Sequence, residues 1–173
     1  MKPVLRAPQA GEEETVLAVV FAAFSSPGRV GDEEVGIVRS SWAAAAPVER
    51  LELVADVDGA VAGHVLAVAG RLDGRPTAVG GVAPVCVAPA HQRRGLGTAL
   101  MTGLLQRAAD RRWPLLVLLG EPAFYTRFGF EPAGPYGLTY PPAGAGSPHF
   151  MARRLDGYDA SLRGTFTYCW EPG

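Results

Sequence analysis

The chain has 173 residues, 48% apolar and 19% charged, and its 16 basic and 17 acidic side chains leave a formal charge of −1. That length and balance fit a single soluble domain over residues 1–173, with enough chain for a full core. They exclude the basic excess of a nucleic-acid binder and the acidic excess of a disordered tail, and the apolar stretches are too short and too broken by Gly and Pro to cross a membrane.

The first residues, Met1 to Arg6, lack the apolar core of a signal peptide, so a cytoplasmic chain is expected. Residues 2–6 alternate weakly and read as a short strand, which Pro8 and Gly11 break. Glu12, Glu13 and Glu14 then place acids in the first turn of a helix, where the dipole favours them. Its inward face is expected to carry Val16, Val19, Val20 and Ala23, and it ends near Phe24. Asp32 can cap a second helix with Val35, Val38 and Trp42 inward, and Asp32, Glu33, Glu34 and Arg39 read as a solvated polar face, with a substrate-facing role as the alternative. Pro47 closes that region.

Two β runs follow, 51–57 and 60–68. Asp58-Gly59 between them is a strong two-residue hairpin signal. The segment from Gly70 to Pro76 reads as polar and turn-rich. It leads into an apolar, β-branched strand from Val79 to Val87. After Pro89 comes a polar corner, Gln92-Arg93-Arg94-Gly95-Leu96-Gly97, and then a helix with Leu96, Ala99, Leu100, Leu104 and Ala108 on one face. Leu115 to Leu119 is all apolar, as in a central strand buried on both sides. Gly120-Glu121-Pro122 starts a short helix that ends at Gly129. Phe130-Glu131-Pro132 begins another strand, residues 134–148 read as a Gly/Pro-rich loop, and 150–155 and 165–170 read as late β segments. The expected fold is a mixed α/β sheet, mostly antiparallel, flanked by helices.

The strand, glycine corner and helix over 79–112 have a physical use. The first turn of a helix leaves amide N–H groups without partners, and its dipole adds partial positive charge. That is an anion site suited to phosphate. Gly95 and Gly97 let a ligand approach the backbone, and Arg93 and Arg94 add charge. A dinucleotide on a Rossmann turn is one ligand class to weigh. Its third glycine is missing, since position 100 is Leu, and no acid ends the following strand.

The other class is coenzyme A. Gln92-x-x-Gly95-x-Gly97 after an apolar strand resembles the acyl-CoA signature of the GNAT N-acetyltransferases. Tyr125-Thr126-Arg127-Phe128-Gly129-Phe130 resembles that family's Y-x-x-x-G-F, and Val85-Cys86-Val87-Ala88-Pro89 its strand end. Together these cover about residues 1–155. The resemblance implies acetyl transfer from acetyl-CoA, as co-substrate, to a small-molecule or peptide amine. The pantetheine arm would run along Val85, Cys86 and Val87, beside a bulge that parts two parallel strands. The Cys86 or Val87 amide would act as oxyanion donor, and the corner from Gln92 through Arg93, Arg94, Gly95, Leu96 and Gly97 to Thr98 would hold the pyrophosphate. Tyr125 would be the general acid, adequately matched to a thiol by its phenol. Phe124 would pack on the cofactor and Arg127 would reach a phosphate. A homodimer through the late strands is common in the resembled family.

Many members carry an Asn seven residues before this Tyr, and here that position is Leu118. For the base, His64 suits the task by residue type, with His149, Glu52, Asp56 or a water chain as alternatives. A CoA-binding sensor without turnover is the competing class. An acetyl-cysteine at Cys86 has no partner in sequence to activate it. Cys86 and Cys169 lack C-x-x-C spacing and are expected as two buried free thiols, and three scattered His match no metal-ligand pattern.

Overall fold

A computed structural model describes residues 3–44 and 48–171, so Lys2 of the expected first strand and the expected break at Pro47 lie outside it. The strands β1 (Val4–Arg6), β2 (Arg50–Val57), β3 (Ala60–Leu72), β4 (Arg75–Val87), β5 (Leu115–Leu119), β6 (Glu131–Pro132), β7 (Leu138–Thr139), β8 (Phe150–Arg154) and β9 (Gly164–Thr167) are hydrogen-bonded in the order β1-β2-β3-β4-β5-β8-β6, with β9 pairing to β3 and β7. Contacts divide the chain into two compact units, formed by the described parts of Met1–Ala43, Leu51–Ala67 and Ala83–Gln106, and of Ala44–Arg50, Val68–Val82 and Arg107–Gly173.

In the first unit, β1 (Val4–Arg6) pairs antiparallel with β2 (Arg50–Val57), Val4 opposite Asp56. The Arg6 guanidinium ties the two strands to the entry of α1 (Glu13–Phe24), reaching Glu12 at 2.7 Å and Asp56 at 2.9 Å. Arg6 and the Gln9 amide hold the Glu12 carboxyl down at about 2. α1 buries Val16, Leu17, Val19 and Val20 against Val38, Val54 and Cys86, whereas Ala23 is only half-buried.

The second helix, α2 (Asp32–Ala43), departs from its expected face. Asp32 is its first residue, and Val35 and Trp42 are only half-buried. Glu34 and Ser41 are buried beside Val38. Arg29 bonds to Glu34 and Ser41 bonds to the Ile37 carbonyl at 2.8 Å, so both polar groups have partners off the pattern that hydropathy reads. The Asp58-Gly59 turn to β3 (Ala60–Leu72) has positive φ at both residues, 55° and 84°, as a tight hairpin requires.

The segment from Gly70 to Pro76 is not a loop. β3 runs on to Leu72, and β4 (Arg75–Val87) starts after a second Asp-Gly turn, Asp73-Gly74, with φ of 48° and 75°. Gly70 reads as a turn residue in sequence, but Phe166 occupies the space where its Cβ would be. α3 (Leu96–Asp110) buries Leu96, Leu100, Met101, Leu104 and Ala108, with Ala99 half-buried.

In the second unit, β5 (Leu115–Leu119) pairs parallel with β4, from Val79↔Leu115 to Gly81↔Val117. On its other side it pairs antiparallel with β8 (Phe150–Arg154), which also holds β6 (Glu131–Pro132). Leu115 to Leu118 are sealed on both faces, as expected, but Leu119 is 48% exposed at the strand end. Trp113 packs over Gly80, where any Cβ would collide with its ring. The helix after Gly120 is one α turn, α4 (Pro122–Tyr125), continued by a 3₁₀ turn over Thr126–Phe128. The segment 134–148 is more ordered than a loop. It holds 3₁₀ turns at Gly134–Tyr136 and Pro141–Ala143, and β7 (Leu138–Thr139) pairs parallel with β9 (Gly164–Thr167). Buried Leu138 anchors that pairing. Cys86 is buried as expected, but Cys169 is only half-buried, and both are free thiols.

Candidate functional site

β4 ends in the first unit with Val85 and Val87 half-buried and Cys86 5% exposed. Burial pushes the Cys86 thiol up to about 12 from the ordinary 9.0, so it is no nucleophile at neutral pH.

The corner that follows is held by its own side chain. Gln92 Nε2 donates to the Val87 carbonyl at 3.1 Å, clamping the turn back on the strand end. Gln92 therefore shapes the site. Arg93 and Gly95 both adopt left-handed backbone, φ 59° and 82°, which is costly for Arg and free for Gly. Arg93, Arg94 and Gly95 are exposed. The helical ladder of α3 begins with Ala99 N donating to Gly95 O at 2.9 Å. The amides of Leu96, Gly97 and Thr98 precede that first bond, so they are available to an anion. Leu96 is buried and anchors the turn, while Thr98 is exposed beside it. Strand end, clamp and helix start together make one corner whose leading amides have the geometry of an anion cradle.

His64, also in this unit, is fully buried. Its Nε2 lies 2.7 Å from Glu52 Oε1, which also accepts from Trp42 Nε1 at 3.0 Å. Glu52, whose side chain is 13% exposed, is the only member of the His64–Glu52 pair that reaches solvent. Any exchange of His64 with solvent through this pair therefore runs by way of Glu52.

In the second unit, Tyr125 closes the single turn of α4, which Glu121 caps by accepting from Ala123 N at 3.4 Å. The Tyr125 ring meets Phe124 edge-on at 4.9 Å and Phe130 at 6.0 Å, and lies against Gly120, where a Cβ would collide with it. Burial pushes the phenol up to about 12 from 10.0, so it keeps its proton at neutral pH. Gly129 caps the 3₁₀ turn with φ 78°, and Arg153 fills the space its Cβ would need. That explains the motif glycine twice over. Phe124 is half-buried. Arg127 folds back onto its own helix. It donates to the Phe124 carbonyl at 2.9 Å, with its guanidinium 4.7 Å from the Phe124 ring, so its charge is partly engaged there. Sequence reasoning overlooked Gly120, although a glycine between a buried strand and a Glu-Pro helix start marks a close approach.

Cys86 and Tyr125, together with Tyr168, Tyr136 and Cys169, whose pKa values are also raised, set an alkaline limit. Between 9.0 and about 12 the unfolded Cys86 thiol has lost a proton that the native one keeps, and the same holds for Tyr125 between 10.0 and about 12. The unfolded state then binds fewer protons, so stability falls as pH rises through that window and is fully present below it. Denaturant melts at rising pH should show this loss, and Cys86→Ala with Tyr125→Phe should make it shallower, the remainder being carried chiefly by buried Tyr168. A profile equally steep in the double variant refutes the assignment.

Among the described residues no helix is long and apolar enough to cross a membrane, and no group of three His, Cys, Asp or Glu is arranged to hold a metal.

Comparison with known proteins places this geometry. Residues 5–133 match the family model of the GNAT acetyltransferase domain. The solved structure of YhbS, a GNAT family N-acetyltransferase from Escherichia coli in complex with CoA, superposes with a TM-score of 0.82 at 27% identity, over 97% of this chain and 90% of that one. A GNAT family acetyltransferase from Brucella melitensis in complex with acetyl-CoA gives 0.75 at 26%, over 96% and 95%. The N-acetyltransferase Eis of Mycobacterium tuberculosis (strain H37Ra) is 33% identical over 122 residues, 66% of this chain and 29% of Eis. This chain thus spans less than a third of that relative's length.

Proposed function

The chain belongs to the GNAT acetyltransferase family, and from that premise we propose that it moves an acetyl group from acetyl-CoA to a primary amine by direct attack. The anion cradle at the start of α3 carries the reading. Its free amides and two arginines suit a pyrophosphate, and the relatives solved with CoA and acetyl-CoA support that choice of ligand. The pantetheine would add along Val85–Val87 as an extra strand. A Cys86 or Val87 amide would bind the developing oxyanion, a contribution of about 3 kcal/mol. Tyr125 would donate to the leaving sulfur. Phe124 would offer an apolar face to the cofactor, and Arg127 would hold that face in place. His64 would act by positioning Glu52. One N-acetyltransferase domain and a dimer through the late strands belong to the same reading.

The test is CoA release by the native chain across a panel of primary amines. Turnover with any of them supports transfer. Acetyl-CoA binding without turnover across a broad panel supports a sensor module instead.

A further inference from the structure

The geometry points to His149 as the base that deprotonates the acceptor, in a cavity suited to amines on an uncharged, largely apolar frame. This rests on the N-acetyltransferase reading above. Three observations within the second unit carry it.

The first is an open cavity of about 340 Å³ lined by Leu119, Gly120, Pro142, Ala143, Ser147 and His149. Its size suits part of a small molecule. Its walls are apolar side chains, glycine backbone, one hydroxyl and one imidazole, with no carboxylate or cationic ammonium. It accounts for two oddities of the fold. Leu119 is exposed at the end of an otherwise sealed strand because it forms a wall. The Pro141–Ala143 turn, in the segment that reads as loop, forms another.

The second is the tautomer of His149. Its Nδ1 lies 3.1 Å from the Gly120 carbonyl oxygen. A carbonyl only accepts, so Nδ1 carries the hydrogen and Nε2 is left with the lone pair a base needs. The backbone pins the residue as well, since Gly120 N donates to His149 O at 2.9 Å, extending the β5–β8 ladder by one bond. His149 is exposed, so an amine can reach its ring, whereas His64 is sealed.

The third is Gly120 itself. One side of it carries the Tyr125 ring, and its carbonyl holds His149. The hydrogen-bond donor for the leaving group and the base for the attacking amine are thus both seated on one residue at the end of β5.

In the step, the amine nitrogen forms a bond to the thioester carbonyl carbon and the C–S bond breaks. One N–H proton passes to His149 Nε2 and the CoA sulfur leaves with the bonding pair, stabilised by the Tyr125 hydroxyl. Solvent at the open mouth takes the proton from His149 and supplies one to the thiolate, so the products are the amide and CoA.

His149→Asn tests the base, because the Asn amide can still donate to the Gly120 carbonyl while having no basic nitrogen. The expected result is kcat lower by about 100-fold, with the calorimetric Kd for acetyl-CoA and the melting temperature unchanged. His149→Ala should lose activity similarly and regain part of it with added imidazole. Ala143→Phe should raise KM for the amine without moving the Kd for acetyl-CoA. Of two probe amines, phenethylamine should be preferred to spermidine by at least about tenfold in kcat/KM. A variant of His149 as active as the native chain overturns the base, and a preference for spermidine overturns the acceptor class. A native chain that binds acetyl-CoA yet turns over no amine overturns the transfer reading, and the base with it.

Discussion

Gly97→Trp should abolish acetyl-CoA binding while leaving the fold intact. Gly97 lies in the first turn of α3, ahead of the first ladder bond from Ala99 to Gly95. An indole there would stand over the amides of Leu96, Gly97 and Thr98, where a pyrophosphate would sit. Hydrogen bonds to a charged group are worth about 1.5–3 kcal/mol each. Losing two of them weakens binding by about a thousandfold. The helix itself should not suffer, because Trp is a better helix former than Gly. Calorimetry on both chains checks this, with thermal melts as the control. Equal binding by native and variant would show that the corner is only a strand–helix turn.

Tyr125→Phe should lower kcat by about 10²–10³ without changing KM for acetyl-CoA, since an acid or hydrogen-bond donor to the leaving group acts mainly in the transition state. Phe keeps the contacts with Phe124, Phe130 and Gly120, so only the hydroxyl is removed. The structure changes how that hydroxyl is understood. From sequence, a phenol near its ordinary value is an adequate match for a departing thiol. Burial at this position pushes Tyr125 up to about 12, well above a thiol near ~8.5. Full proton transfer would then be uphill, so in the proposed reaction the phenol would serve as a hydrogen-bond donor that keeps its proton at neutral pH. Steady-state kinetics decide the matter, and an unchanged kcat would remove Tyr125 from the mechanism.

Much of this molecule follows from local chemistry. The Leu115–Leu119 run is apolar at every position, and only a strand covered on both faces makes use of that. Asp58-Gly59 prescribes its own turn, because few other pairs accept two positive φ values. The Gln92–Gly97 corner and the helical spacing after it prescribe a strand–turn–helix whose first amides suit an anion, because the free amides of a helix start are a property of backbone geometry. Asp73-Gly74 carries the same turn signal. Gly70 and Pro76 on either side make it read as loop, and only Phe166, nearly a hundred residues on, reveals Gly70 as a strand residue under an aromatic ring.

Tertiary structure decided what depends on partners distant in sequence. Glu34 and Ser41 are buried because Arg29 and the Ile37 carbonyl meet them, and hydropathy cannot see a hydrogen bond. β7 exists because β9 pairs with it across 24 intervening residues, 140–163, and two residues carry no strand signal of their own. His64 sits inside an apolar strand run, where a core histidine is expected, and His149 at the end of the Gly/Pro-rich segment, yet sequence names the contacts of neither. The fold seals one against Glu52 and pins the other, exposed, on the Gly120 carbonyl. Residue type determines what an imidazole can do, and only the packing around it determines whether a proton can reach it.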